Sequence, residues 1–165
     1  MFIFRNKRVQ CLKYVSKKMN TLTQVNNDLK GKNFIVVGSP KGIGFSVAKY
    51  IAREGGKVTL VGKNFQTRPN IFTAAETIND IIKKPACMGV LCDINMPNQI
   101  QHVFNETMDV YGSINGVILM SETCYLKDTK TLFHTELKHM NTNINGTYLF
   151  GQQFLQHMED NNSQG

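Results

Sequence analysis

Between an apolar run and a helix-period segment lies Gly38-Ser39-Pro40-Lys41-Gly42-Ile43-Gly44, and this turn constrains the fold more than any other stretch. The run before it, Asn33–Val37, is β-branched and aromatic and leads into Gly38, which predicts a strand. After it, Ile43, Val47 and Ile51 recur every four residues with Ala48 and Ala52 beside them, an apolar stripe that predicts a helix stopping at Gly55-Gly56. A strand-to-helix turn of spacing G-x-x-x-G-x-G gives each glycine a task. Gly38 permits the sharp exit from the strand, Gly42 lets backbone approach a diphosphate, and Gly44 lets the helix lie close to the sheet. Unpaired N–H groups at the helix start would then meet the negative charge. A plain glycine turn is the alternative reading.

The same alternation continues. Lys57–Val61 predicts a second strand, Thr73–Lys84 a helix with Ala74, Ile78, Ile81 and Ile82 inward, and Gly89–Cys92 a short third strand. Pro97 opens a helix whose Ile100, Val103, Phe104, Met108 and Tyr111 share one face. Gly116–Met120 predicts a fourth strand, and Lys138–Met158 a last helix with Ile144, Tyr148, Leu155 and Met158 on its buried side. Strands alternating with helices of a dozen residues imply βαβ units. The fold class expected is α/β, a Rossmann-type parallel sheet with flanking helices, incomplete, with about four strands and the second half missing.

Charge locates the ordered body. The net charge is +7, but residues 1–27 hold six cations and no acid, whereas residues 28–165 hold thirteen cations against twelve acids. The basic excess therefore belongs to residues 1–28, and neither nucleic acid nor a membrane surface is expected as a partner of the body. That segment reads as a mitochondrial presequence, as a solvated tail, or as an extension ahead of a start at Met19. Residues 29–158 are the expected domain and residues 159–165 a polar tail. The four cysteines form no CxxC pair, so reduced thiols inside a cell are expected, in mitochondrion or cytoplasm, with no C-terminal peroxisomal signal. No apolar run approaches the roughly 18 residues that span a bilayer.

Cofactor choice is read after the second strand. A carboxylate there would bind the ribose hydroxyls of NAD(H), and the sequence instead gives Val61-Gly62-Lys63-Asn64. Lys41 and Lys63 would face a 2′-phosphate, so NADP(H) is favoured over NAD(H). Two solvated lysines are the alternative.

VGSPKGIG resembles the short-chain dehydrogenase/reductase fingerprint TGxxxGIG, with Val37 in the threonine position. Cys92-Asp93-Ile94 is similar to the element whose Asp contacts adenine in that family. Tyr111-Gly112-Ser113-Ile114-Asn115 resembles the segment before its fourth strand, and Asn141-Thr142-Asn143-Ile144-Asn145-Gly146-Thr147-Tyr148-Leu149 resembles its N-V-N-x-x-G-T-Y-L helix. The resemblance implies an NADP(H)-binding oxidoreductase whose cofactor is lined by Gly38, Ser39, Lys41, Gly42, Ile43, Gly44, Lys63 and Asp93. It leaves Asn143 as the one member of the family's Asn-Ser-Tyr-Lys tetrad with a counterpart.

Two departures bear on activity. The family's N-N-A-G turn reads Leu119-Met120-Ser121-Glu122, and the catalytic Ser and Tyr-x-x-x-Lys of the family lie beyond Gly165. Tyr14-Val15-Ser16-Lys17-Lys18 meets the second spacing but precedes the first strand. Without a proton donor the polypeptide is expected to be inactive, or to act as a non-catalytic module pairing with itself or a full-length relative through its last helix and open sheet edge. His134, Glu136 and His139 do not form H-E-x-x-H, so no metal site is expected. Two sequons, at Asn105 and Asn145, are read as silent.

Overall fold

A computed structural model describes residues 27–38, 40–63, 69–121, 137 and 139–161. Four short strands pair into one parallel sheet: β1 (Asn33–Val37), β2 (Lys57–Gly62), β3 (Cys87–Leu91) and β4 (Gly116–Leu119), in the order β3-β2-β1-β4. Between them run α1 (Gly42–Arg53), α2 (Ile71–Ile82) and α3 (Pro97–Tyr111), and α4 (Thr147–Asp160) follows. The protein is an α/β fold with a Rossmann-type sheet.

Alternation along each strand divides the core into two layers. Val36, Val58 and Leu60 face α1 and α2, where Ala48, Ile51, Ala52, Ile71, Ala74 and Ile78 close over them. Ile35, Val37, Val61 and Val90 face the other side, against Ile100, Val103 and Phe104 of α3 and Phe150 of α4. A sheet covered on both faces needs apolar residues at successive positions, which is why these strands read as apolar runs and not as alternating ones, with Thr59 the buried polar exception in β2. Within the second layer the Phe104 and Phe150 rings meet at 5.4 Å between centroids, and the Thr59 and Thr107 hydroxyls pair at 2.9 Å.

Local chemistry shifts both ends of the second helix and the start of the third strand from the sequence expectation. Asn70 caps α2 by accepting from the Thr73 N–H at 2.9 Å, so the helix starts at Ile71, a buried residue, rather than Thr73. It ends at Ile82 because Lys83 turns left-handed with φ 58°. Asn79 then ties the next strand down: its Oδ1 accepts from the N–H groups of Ala86 and Cys87 and its Nδ2 donates to the Cys87 carbonyl, all at 2.8 Å. That clamp starts β3 at Cys87, two residues before Gly89.

The last helix is the main correction. Ile144, Tyr148 and Leu155, expected inward, are 56%, 68% and 62% exposed, whereas Phe150 is fully buried, with Leu149 and Phe154 packed beside it. A π-helical turn over Asn141–Gly146 precedes α4, and its extra residue in the turn rotates the following residues relative to a straight 3.6-residue count. Ile43 and Ile81 are also exposed rather than inward. β4 ends the sheet, its residues half-buried, and among the described residues no strand pairs with its outer side. No helix among the described residues is long and apolar enough to cross a membrane.

Candidate functional site

The strand order reverses between β1 and β4, since the chain passes outward through β2 and β3 and returns to the other side of β1. In an open α/β sheet the crevice at such a point, outside the carboxyl ends of the strands, is where ligands bind. Its walls are fixed by backbone: the Met120 N–H donates to the Val37 carbonyl at 2.7 Å and the Gly38 N–H to the Val61 carbonyl at 2.9 Å.

The glycine turn sits on this crevice. Gly42 has φ +73°, a conformation that side chains rarely adopt, and a Cβ built on it would meet nothing within 4 Å. Lys41 precedes α1 as its N-cap in an extended conformation, among the described residues no side-chain hydrogen bond caps the helix, and no acid lies in its first turn. The helix start therefore combines oriented N–H groups, a positive dipole end and an adjacent ammonium. Gly44 is buried under the helix while Ile43 projects outward, 70% exposed. Ser39, the remaining residue expected in the turn, lies outside the described residues.

Ser121, which the sequence reading treated only as a departure, adds a polar group here. Its hydroxyl oxygen is buried and finds no hydrogen-bond partner among the described residues. It directly follows Met120, whose Cβ would lie 3.4 Å from a Cβ built on Gly38. A buried hydroxyl left unpaired costs about 1–3 kcal/mol, so a donor or acceptor arriving in the crevice would relieve it. Open space at Gly42, the helix start and this orphaned hydroxyl fit a dinucleotide. The one available signal in the sequence was a hydroxyl residue where the family's turn has an alanine.

At the ends of β2 and β3, Lys63 Nζ lies 2.7 Å from Asp93 Oδ2. Asp93 also accepts from Asn95, from its backbone N–H at 3.1 Å and its side-chain amide at 2.9 Å. Burial acts to raise the Asp93 pKa, but these bonds and the Lys63 charge outweigh it and hold the carboxyl below its ordinary value of 3.8. Next to it, burial pushes the Cys92 thiol up to about 12, with the Asp93 charge adding to the effect, so this thiol stays protonated and unreactive. Asn143, on the π-helical turn, is half-buried. Gly146 on the same turn approaches the loop after β3 so closely that a Cβ there would fall 2.6 Å from Ile94 Cγ1. Among the described residues, no cluster of three His, Cys, Asp or Glu side chains could hold a metal ion. The His134 and Glu136 positions and the Tyr14–Lys18 spacing lie outside the described residues.

The family model of short chain dehydrogenases matches residues 32–165. The chain belongs to the short-chain dehydrogenase family. Among its relatives are glucose 1-dehydrogenase 2 of Bacillus subtilis, 30% identical over 149 residues, and hydroxysteroid dehydrogenase-like protein 2 of Xenopus tropicalis, 30% identical over 129 residues. The first alignment covers 84% of this chain and 53% of the relative; the second covers 73% and 30%. An actinorhodin polyketide ketoreductase solved with NADPH shares the fold at a TM-score of 0.70 and 18% identity, covering 84% of this chain and 51% of that one. The chain thus spans about half, or less, of the length of these short-chain dehydrogenase relatives.

Proposed function

We propose that residues 29–158 form the NADP(H)-binding unit of a short-chain oxidoreductase. The observation that carries this reading is Gly42, with φ +73° and open space on its Cβ side at the start of α1. Gly38, Ser39, Gly42, Ile43 and Gly44 would hold the diphosphate side, Asp93 the adenine, and Lys41 and Lys63 a 2′-phosphate. No carboxylate follows β2, and this favours NADP(H) over NAD(H). The related ketoreductase was solved with NADPH. When bound, the nicotinamide would supply hydride to a carbonyl or take it from an alcohol. Ser121 would offer its buried hydroxyl to a ribose or phosphate oxygen, and Asn143 would keep the tetrad asparagine's place.

The proton for the carbonyl oxygen is a separate requirement. The resemblance assigns it to a Tyr whose pKa is lowered by a Lys, and residues 28–165 contain no Tyr-x-x-x-Lys. The polypeptide of residues 1–165 is therefore expected to reduce no carbonyl with NADPH above the buffer rate. Turnover that disappears with Asn143→Ala would overturn that expectation, because it would have to arise at this site.

A second reading, a non-catalytic module pairing with a like chain or a full-length relative, is favoured by the exposed apolar stripe of Ile144, Tyr148 and Leu155. Sedimentation of Tyr148→Lys against the parent chain separates the two, since only an assembly through this face would dissociate. The basic segment before the domain supports a mitochondrial destination, with the cytoplasm as the alternative.

A further inference from the structure

Lys63 and Asp93 are both given cofactor contacts by the proposed nucleotide reading, yet they are bonded to each other at 2.7 Å. The two partners differ in freedom. Asp93 is fixed, since its carboxylate accepts twice from Asn95 and its own N–H donates to Gln99 Oε1 at 2.8 Å. Asn95 is held in turn by Thr142 Oγ1, 3.3 Å from its side-chain amide. The Lys63 side chain is 68% exposed and swings on a flexible stem. A 2′-phosphate entering beside β2 would therefore compete with a stationary carboxylate for one mobile ammonium.

We infer that Asp93 is a specificity-determining positioning residue: by engaging Lys63 it weakens this site's preference for 2′-phosphorylated adenosine nucleotides over unphosphorylated ones. This rests on the nucleotide reading above. Competition has a ceiling, because an ion pair this exposed withholds little, about a fivefold factor in affinity. Direct repulsion between the Asp93 carboxylate and the phosphate would act in the same direction but would not need Lys63. That difference makes the two separable.

The experiment uses residues 1–165 and calorimetric dissociation constants for adenosine 2′,5′-bisphosphate and adenosine 5′-monophosphate, read as their ratio. Asp93→Asn should raise the preference for the bisphosphate about fivefold, Lys63→Ala should lower it, and the double variant should match Lys63→Ala alone. Asp93→Glu should restore the parent ratio, and Asp93→Ser replaces Asp93→Asn if the latter does not fold. An unchanged or lowered ratio in Asp93→Asn overturns the inference, as does an increase that persists in the Lys63→Ala background. If all variants bind both nucleotides at one ratio, only this inference fails. If none binds either nucleotide, the nucleotide reading fails and takes the inference with it.

Discussion

The Asp93 carboxylate sits 2.7 Å from the Lys63 ammonium, joining the carboxyl ends of two adjacent strands across 30 residues of sequence. Its pKa is depressed, so the stability it contributes is complete above the ordinary value of 3.8 and is lost as pH falls through the lower folded value. Because Lys63 is largely exposed, the effect is small. Asp93→Asn should lose no more than about 1 kcal/mol at pH 7. Denaturant titrations at pH 7 and pH 3 check this: the gap between parent and variant should shrink at the lower pH, and a gap that widens would contradict the assigned direction.

The face of α4 is tested by alanine substitution. Phe150 is fully buried against Phe104, and truncating it should cost about 3–5 kcal/mol. Tyr148→Ala and Leu155→Ala, at exposed positions, should stay within about 0.5 kcal/mol in the monomer. Urea melts of the three variants give the ranking, and a larger loss at Tyr148 than at Phe150 would reverse the assigned face.

Gly146 is required by close approach and not by its dihedral angles. Its added Cβ would fall 2.6 and 2.8 Å from the Ile94 side chain and 3.2 Å from the Ile94 carbonyl oxygen. Gly146→Ala should therefore cost about 1–3 kcal/mol. In an Ile94→Ala background the same change should cost less, and a double-mutant cycle measures the coupling. Strict additivity would mean that the strain lies elsewhere.

Much of this fold was legible in the sequence because its signals are local. β1 matches its expected bounds since a β-branched run meets a glycine turn, and α3 starts where expected since Pro97 opens it ahead of an apolar stripe. The inward face of α4 was not legible. Ile144, Tyr148 and Leu155 recur at helical spacing as convincingly as Phe150 and Phe154 do, and the π-helical turn that selects between them has no mark in a 3.6-residue pattern. Within the candidate site, the glycine turn is legible from spacing alone, since the strand before it and the helix after it both form where the pattern places them. The Lys63–Asp93 pair is not, because it depends on β2 and β3 being neighbours. The orphaned Ser121 hydroxyl is not either, because burial of one atom is a property of the assembled crevice.

The central claim is that the Gly38–Gly44 turn cradles a nucleotide diphosphate, and calorimetric titration of adenosine 2′,5′-bisphosphate tests it most directly. Lys41→Ala removes a charge beside the helix start, and Gly42→Val fills the open space while forcing a side chain into φ +73°. Circular dichroism of each variant confirms that it is folded before titration. The parent chain should bind most tightly, Lys41→Ala more weakly, and Gly42→Val least or not at all. Binding by folded Gly42→Val as tight as that of the parent, or no binding by any of the three, would contradict a nucleotide site at this turn.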